Sequence, residues 1–407
     1  MRGVRRHCGG TMRSARGEHG RGARAGIQMK EGQGMEPVRA GSVTRRSFLY
    51  ASAAGATIVS QSGAAAQAGA GDVRRKGLIK LGHKHDHTDA TLRVMAAFGV
   101  SHICSAVVSR QFDESWSVEG LSRLRERVES HGITLEMLAL PLSSVVVERA
   151  ENPNILLGKS PERDREIDNI CQIIRNCARA GIPSAKYALT LLGVLRTEPT
   201  KGRGGSMYST FDYEKAKQDP PLTMAGEVSA EEFWERVEYF VKKVVPVAEE
   251  YKIRLGLHPQ DPALPPGRPF RGVHRVLAAV DGLKRFVELS PSPYHGVLFC
   301  QGTLTESMRD PAKELPEAIR WFGERGKIFA VEFRNIKGGY LKFQETFPDD
   351  GDIDMLAALR LYKQVGFDGM LFPDHVPRIE GDQGSRQAFS FAWGYIKALM
   401  DLVNKEA

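Results

Sequence analysis

Five side chains in the C-terminal half of this chain have the chemistry of a site. His258 closes the apolar run IRLGLHP (253–259) and Cys300 lies in VLFCQGT (297–303). Glu332 lies in IFAVEFRN (328–335), and Asp374 and His375 in GMLFPDHV (369–376). Each run is short and apolar and ends in polar residues, which reads as a buried strand whose end leaves the core. Imidazole, thiolate and carboxylate donors at the same end of four successive strands form a ligand set for a divalent cation. Carboxylate and imidazole suit Mn or Fe(II), whereas a thiolate pulls toward Zn or Fe. Taken singly, each residue has a plainer role: a hydrogen-bonded histidine, a small buried hydrophobe, an aspartate capping the next helix. Their joint placement is the signal.

Such a placement needs a scaffold that lines up strand ends. Eight candidate strands lie at 78–85, 100–107, 133–142, 184–190, 253–259, 297–303, 328–335 and 369–376. Between them run helical patterns at 117–132, 229–251 and 311–326. Ser229 with Glu232 reads as a capping box, and Phe233, Val237, Phe240, Val241 and Val244 form one apolar face. The alternation predicts an α/β fold, a (β/α)8 TIM barrel over 71–407 as a single catalytic domain. A doubly wound open sheet is the structural alternative, but no GxGxxG follows any of the strands. In the barrel, active sites sit at the C-terminal strand ends. The first strand ends in GHKHDHTD, where His83, His85 and His87 alternate toward one face. They read as histidines near the barrel mouth, with His85 a candidate for substrate binding, or as a second metal site. Residues 191–228 are too long for an ordinary βα loop and carry KGRGGSMYST, so they read as a lid or substrate clamp over that face.

The net charge of +8 belongs to the N-terminus. Residues 1–34 hold eight basic and two acidic side chains, and residues 35–76 hold six and two, which leaves residues 77–407 with a net charge of −2. The folded part therefore carries no basic signature of nucleic-acid binding. Thr44-Arg45-Arg46-Ser47-Phe48-Leu49, a mild Ala-rich run and AAAQAGA (64–70) have the order of a twin-arginine export signal. Residues 1–70 are thus expected to be a disordered leader with this signal, handing the folded chain to the twin-arginine export machinery for a periplasmic or exported location. The apolar run is too short for stable membrane insertion. The cysteines Cys8, Cys104, Cys171, Cys177 and Cys300 form no CxxC and no dense disulfide framework.

GLHPQDPALPPGRPFRG (256–272), FCQGTL (299–304), VEFRNIK (331–337), FQETFPDDGDIDM (343–355) and LFPDHVPRI (371–379) together resemble the mannonate dehydratase family of the xylose-isomerase-like barrels. Leu195-Arg196-Thr197 and Trp116 also fit the pattern, and the likeness spans roughly residues 78–400. It implies dehydration of D-mannonate, or a closely related sugar acid, to 2-dehydro-3-deoxy-D-gluconate. The cofactor it implies is a divalent metal, Mn2+ first and Fe2+ second. The ligands carried over are His258, Cys300, position 332 and Asp374, and the acid/base residue is His375. Arg334, Arg196 and Arg203 become candidate clamps for the anionic substrate. Trp116, His85 and Asn335 become candidate substrate contacts.

The chain departs from the family pattern at four of these places. Glu332 stands where the family has His, Gln260 replaces an acid, Ala188 an Asn, and Phe389 aligns with a Tyr. Glutamate remains a competent ligand for a hard divalent ion. The departures keep two alternatives open: a metal-dependent sugar isomerase or epimerase on the same barrel, and an exported sugar-acid binding relative without catalysis. The oligomeric state is not set by the sequence, and a homo-oligomer is allowed for.

Overall fold

The structure, a computed structural model, describes residues 78–406. The leader expected over residues 1–70 lies outside them. Eight parallel strands close into a barrel in sequence order. They are β1 Lys80–His85, β2 His102–Val107, β3 Thr134–Ala139, β4 Ser184–Ala188, β5 Arg254–His258, β6 His295–Cys300, β7 Ile328–Glu332 and β8 Met370–Phe372. Closure is made by β1 pairing with β8, Lys80 opposite Met370 and Leu81 opposite Leu371. All eight predicted strands are present. The sixth is shorter than the apolar run suggested, because Gln301–Thr305 turns into a helix directly after Cys300.

The two-residue alternation of a strand divides its side chains between two cores. Leu81, Ile103, Leu135, Leu255, Leu257, Phe299 and Val331 face the helix layer and join the large core. Cys104, Met137, Leu298, Ala330, Met370 and Phe372 form a separate cluster that plugs the barrel interior. Gly256 belongs to the crowded interior, where a Cβ would meet the Leu298 backbone nitrogen at 2.9 Å. Helices Val118–Glu129, Ala230–Glu250 and Pro311–Glu324 occupy the three predicted helical stretches. The capping box is formed: the Glu232 backbone N–H donates to Ser229 Oγ at 3.1 Å, and the Ser229 N–H to Glu232 Oε2 at 2.8 Å.

The long segment after β4 is built into the fold. Thr200–Lys201 pairs with Met207–Tyr208, and Thr210–Asp212 pairs with the strand Lys342–Glu345. That strand in turn pairs with Ile336–Gly339, so excursions after β4 and β7 share one antiparallel sheet.

Candidate active site

The barrel register brings the predicted donors together. Glu332 lies opposite Cys300 on β6 and Phe372 on β8, and His258 ends β5. The donor atoms of His258, Cys300 and Glu332 all lie within 4.8 Å of one another. Asp374 follows β8 by two residues, with Oδ2 3.4 Å from Cys300 Sγ. His258 Nε2 is 2.9 Å from Glu332 Oε2.

Two interior lysines escaped the sequence reading. Lys84 reaches from β1 to Glu332 Oε1 at 3.0 Å and is also bonded to Asp374. From β4, Lys186 Nζ comes to 3.6 Å from the same Glu332 oxygen. The signal was available: in GHKHDH, the lysine alternates with the histidines, so Lys84 takes the opposite face. That face is the barrel interior. His83 instead packs edge-on against Phe389 and Trp393 of helix Arg386–Lys405, ring centroids 4.9 and 5.0 Å away. The backbone of His85 ends β1, but its side chain lies outside the described part.

These contacts fix charge states. Burial alone would raise the Glu332 pKa, yet Lys84, His258 and Lys186 hold it well below the usual carboxylate range. Asp374 is likewise depressed: burial and Glu332 oppose its charge, and His375, Lys84 and Arg334 outweigh them. Burial, followed by Asp374 and Glu332, pushes the Cys300 thiol well up. The thiolate thus needs a neighbouring cation to form, as a metal ligand does. The N/O/S donor set fits a divalent ion in type and spacing, provided that the Lys84 ammonium gives up its hold on Glu332 and Asp374.

Behind the donors lies a buried ionic network. Arg334, with a fully buried side chain, donates from Nε to Asp374 Oδ2 at 2.8 Å and from Nη1 to Glu306 Oε1 at 2.6 Å. Its Nη1 is also 3.0 Å from Glu345 Oε1. Arg196 donates to Asp261 Oδ2 at 2.8 Å and pairs with Glu345. Asp261, Glu306 and Glu345 are themselves a three-carboxylate cluster within 4.8 Å, but the two guanidinium groups already serve it. Gly302 of FCQGTL is what admits Arg334: a Cβ there would lie 2.4 Å from Arg334 Nε.

His375 is the exposed member. Its Nδ1 bonds Glu345 Oε2 at 2.8 Å, and its Nε2 lies 3.4 Å from Asp374 Oδ1. Burial works against its charge, but the Asp374 and Glu345 carboxylates prevail and raise its pKa above the ordinary histidine value. Two cavities meet at this point. One, of about 560 Å³, is lined by His83, Lys84, Asp374, His375 and Phe389. The other, of about 380 Å³, is lined by Lys84, Lys186, His258, Glu332 and His375.

Several expected substrate contacts are placed elsewhere. Trp116 is fully buried and its Nε1 donates to the Ser109 carbonyl at 3.1 Å, a packing role. The Asn335 amide donates to Pro348 and Ile353 carbonyls and accepts from the Ile336 and Ile353 N–H groups, so it clamps the loop after β7. Arg203 faces outward in a bidentate pair with Asp349 at 2.7 and 2.9 Å. Arg196 and Arg334, the expected clamps, are engaged by carboxylates of the protein and hold the site's own acids. Phe389 lines the larger cavity, so its lack of a hydroxyl is felt there.

A closed parallel barrel with polar donors at the C-terminal strand ends defines the TIM-barrel class. A xylose isomerase domain protein from Alicyclobacillus acidocaldarius shares this fold with TM-score 0.54 at 15% identity, covering 80% of this chain and 99% of that one. Within the class, the mannonate dehydratase of Streptococcus suis superposes with TM-score 0.68 at 27% identity, covering 81% of this chain and 95% of that one. The model of the D-mannonate dehydratase (UxuA) family matches residues 81–225 and 216–405. Mannonate dehydratase 2 of Halalkalibacterium halodurans is 32% identical over 313 residues, 70% of this chain and 86% of the relative. The Thermotoga maritima mannonate dehydratase is 28% identical over 337 residues, 74% and 89% of the two chains. The chain belongs to the mannonate dehydratase family.

Proposed function

We propose that this protein is a hydro-lyase that converts D-mannonate, or a closely related sugar acid, to 2-dehydro-3-deoxy-D-gluconate. The observation that carries the reading is the convergence of His258, Cys300, Glu332 and Asp374 beside His375 at the mouth of the barrel. A divalent ion held by those four residues, Mn2+ in this reading and Fe2+ as the alternative, would supply Lewis acidity for the charge that develops as C2 loses its proton. His375, favoured in its protonated form by Glu345 and Asp374, donates the proton with which the C3 hydroxyl departs as water. The enol left behind ketonises. Phe389 has no hydroxyl through which to accept a proton, so in this reading the C2 proton passes to water admitted by the cavity. Arg334 is a positioning residue that holds Asp374 through its Nε.

The test is to incubate the full chain with Mn(II) and D-mannonate and follow the 2-keto-acid product. Asp374→Asn is expected to lose at least 10²-fold in turnover. A wild-type protein that binds Mn(II) yet releases no keto-acid would refute the dehydratase. Because Glu332 adds a carboxylate to the donor set, that result would redirect the work to aldose–ketose isomerisation and epimerisation, measured on the same preparation.

The export reading is supported by Arg45-Arg46 and the Ala-rich stretch that follows. No helix among the described residues is long and apolar enough to cross a membrane. Fusion of residues 1–75 to a reporter that is active only after twin-arginine export should give signal, abolished by R45K together with R46K. A reporter retained inside the cell would rule the signal out.

A further inference from the structure

The cation-binding end of this barrel already contains a cation of its own. Lys84 Nζ contacts both Glu332, at 3.0 Å, and Asp374, and its side chain is only 6% exposed. These are two of the four groups that would hold a divalent ion. Lys186 adds a second positive charge 3.6 Å from Glu332, and Arg334 a third, 2.8 Å from Asp374. Two carboxylates therefore face three cations of the protein before any ion arrives. Adding two more positive charges while all three remain is unfavourable, since like charges at such separations repel strongly in a poorly solvated site. Lys84 and Lys186 both end flexible stems at a cavity, but of the three cations it is Lys84 that contacts Glu332 and Asp374 together, so its withdrawal frees both carboxylates. Arg334 is locked by Glu306 and Glu345 as well, whereas Lys84 lines both cavities and ends a flexible four-carbon stem.

We propose that Lys84 is a tethered competitor for the divalent cation: its ammonium and the ion share Glu332 and Asp374, and loading requires Lys84 to swing into the adjoining cavity. The inference rests on the metal-dependent reading above and adds a consequence for it. The protein keeps its buried carboxylates compensated when unloaded, and its affinity for the ion is set low by its own side chain. A chain that loads easily would need a neutral residue at position 84.

Calorimetric titration of Mn(II) into the full chain tests this without reference to activity. Lys84→Met is expected to bind Mn(II) at least tenfold more tightly than wild type, with Lys84→Gln tighter as well should the methionine variant fold poorly. Lys84→Arg, which keeps the charge, should stay within a few-fold of wild type. Lys186→Met removes an equal charge from beside Glu332 while leaving the Lys84 contacts to both carboxylates, and should tighten binding less than Lys84→Met. Mn(II) should also raise the melting temperature of Lys84→Met more than that of wild type. Equal affinity in wild type, K84M and K84Q would overturn the competition while leaving the metal site intact. Equal tightening by K84M and K186M would overturn it in favour of a general charge effect. Absence of Mn(II) binding in every variant would overturn both the competition and the metal-dependent reading.

Discussion

Replacing Arg334 with alanine is expected to destabilise the barrel by about 3–5 kcal/mol, the cost of stranding buried partners of an ion pair. The guanidinium is completely shielded from solvent and touches Asp374, Glu306 and Glu345. None of these carboxylates is more than 3% exposed, so water cannot replace the lost donor cheaply. Gly302 aggravates the loss, because the space it leaves for the arginine becomes a polar-walled void. The drop in melting temperature should be about 4–7 °C for a folded unit of this size. Arg334→Lys should recover only part of it, since one ammonium cannot serve three separated acids through a planar fork. Thermal and denaturant unfolding of both variants decide the matter. A loss below about 1 kcal/mol for the alanine variant would mean that the acids discharge by taking up protons, and that Arg334 does not hold the site together.

His375→Ala should leave the fold nearly untouched and lower turnover by about 10²–10⁴-fold, the usual contribution of a positioned acid. The side chain is 43% exposed, so its removal opens no sealed cavity. Its role can be separated from bulk by pH. The raised pKa extends the imidazolium form toward higher pH than an ordinary histidine allows, and activity that needs this acid is present at lower pH and declines as pH rises through that pKa. Glu345→Gln removes one of the two carboxylates that raise it, so the alkaline limb should move to lower pH. The sign is fixed by the charge: with less negative potential nearby, the proton leaves more readily. The full pH profile of kcat/KM for wild type and E345Q measures the shift. An alkaline limb that stays in place would remove His375 from the acid role, and turnover retained in H375A would remove it from the chemistry altogether.

The eight strands were legible because each is a short apolar run with a clear stop, and the donors His258, Cys300, Glu332 and Asp374 were legible because each stands where a core strand turns polar. Lys84 was overlooked, since three histidines in GHKHDHTD drew the reading to the wrong parity, and the pairing of Lys84 with Cys104 on β2 marks the strand's interior face. The ionic network behind the site was invisible for another reason. Arg196 and Glu345 meet across 149 residues of sequence, and no local pattern encodes such a pairing. Arg203, Asn335 and Trp116 have residue types that suit ligands equally well, but the protein itself uses their hydrogen-bonding capacity. Residue type announces what a side chain could bind, and only packing says whether the bond is already spent.

The shared sheet of the two excursions has a consequence for how this barrel tolerates change. Glu345 closes the strand that pairs with Thr210–Asp212, and the same Glu345 bonds His375. The segment after β4 is thereby wired to the acid at the end of β8 through the Glu345 carboxylate, beside the backbone bridge of Met207 to Arg378. Loop grafting between relatives, a common route to new substrate ranges, cannot exchange residues 191–228 here as an isolated cassette. The hairpin 336–345 must travel with it, or the transplanted loop arrives with the proton donor out of alignment.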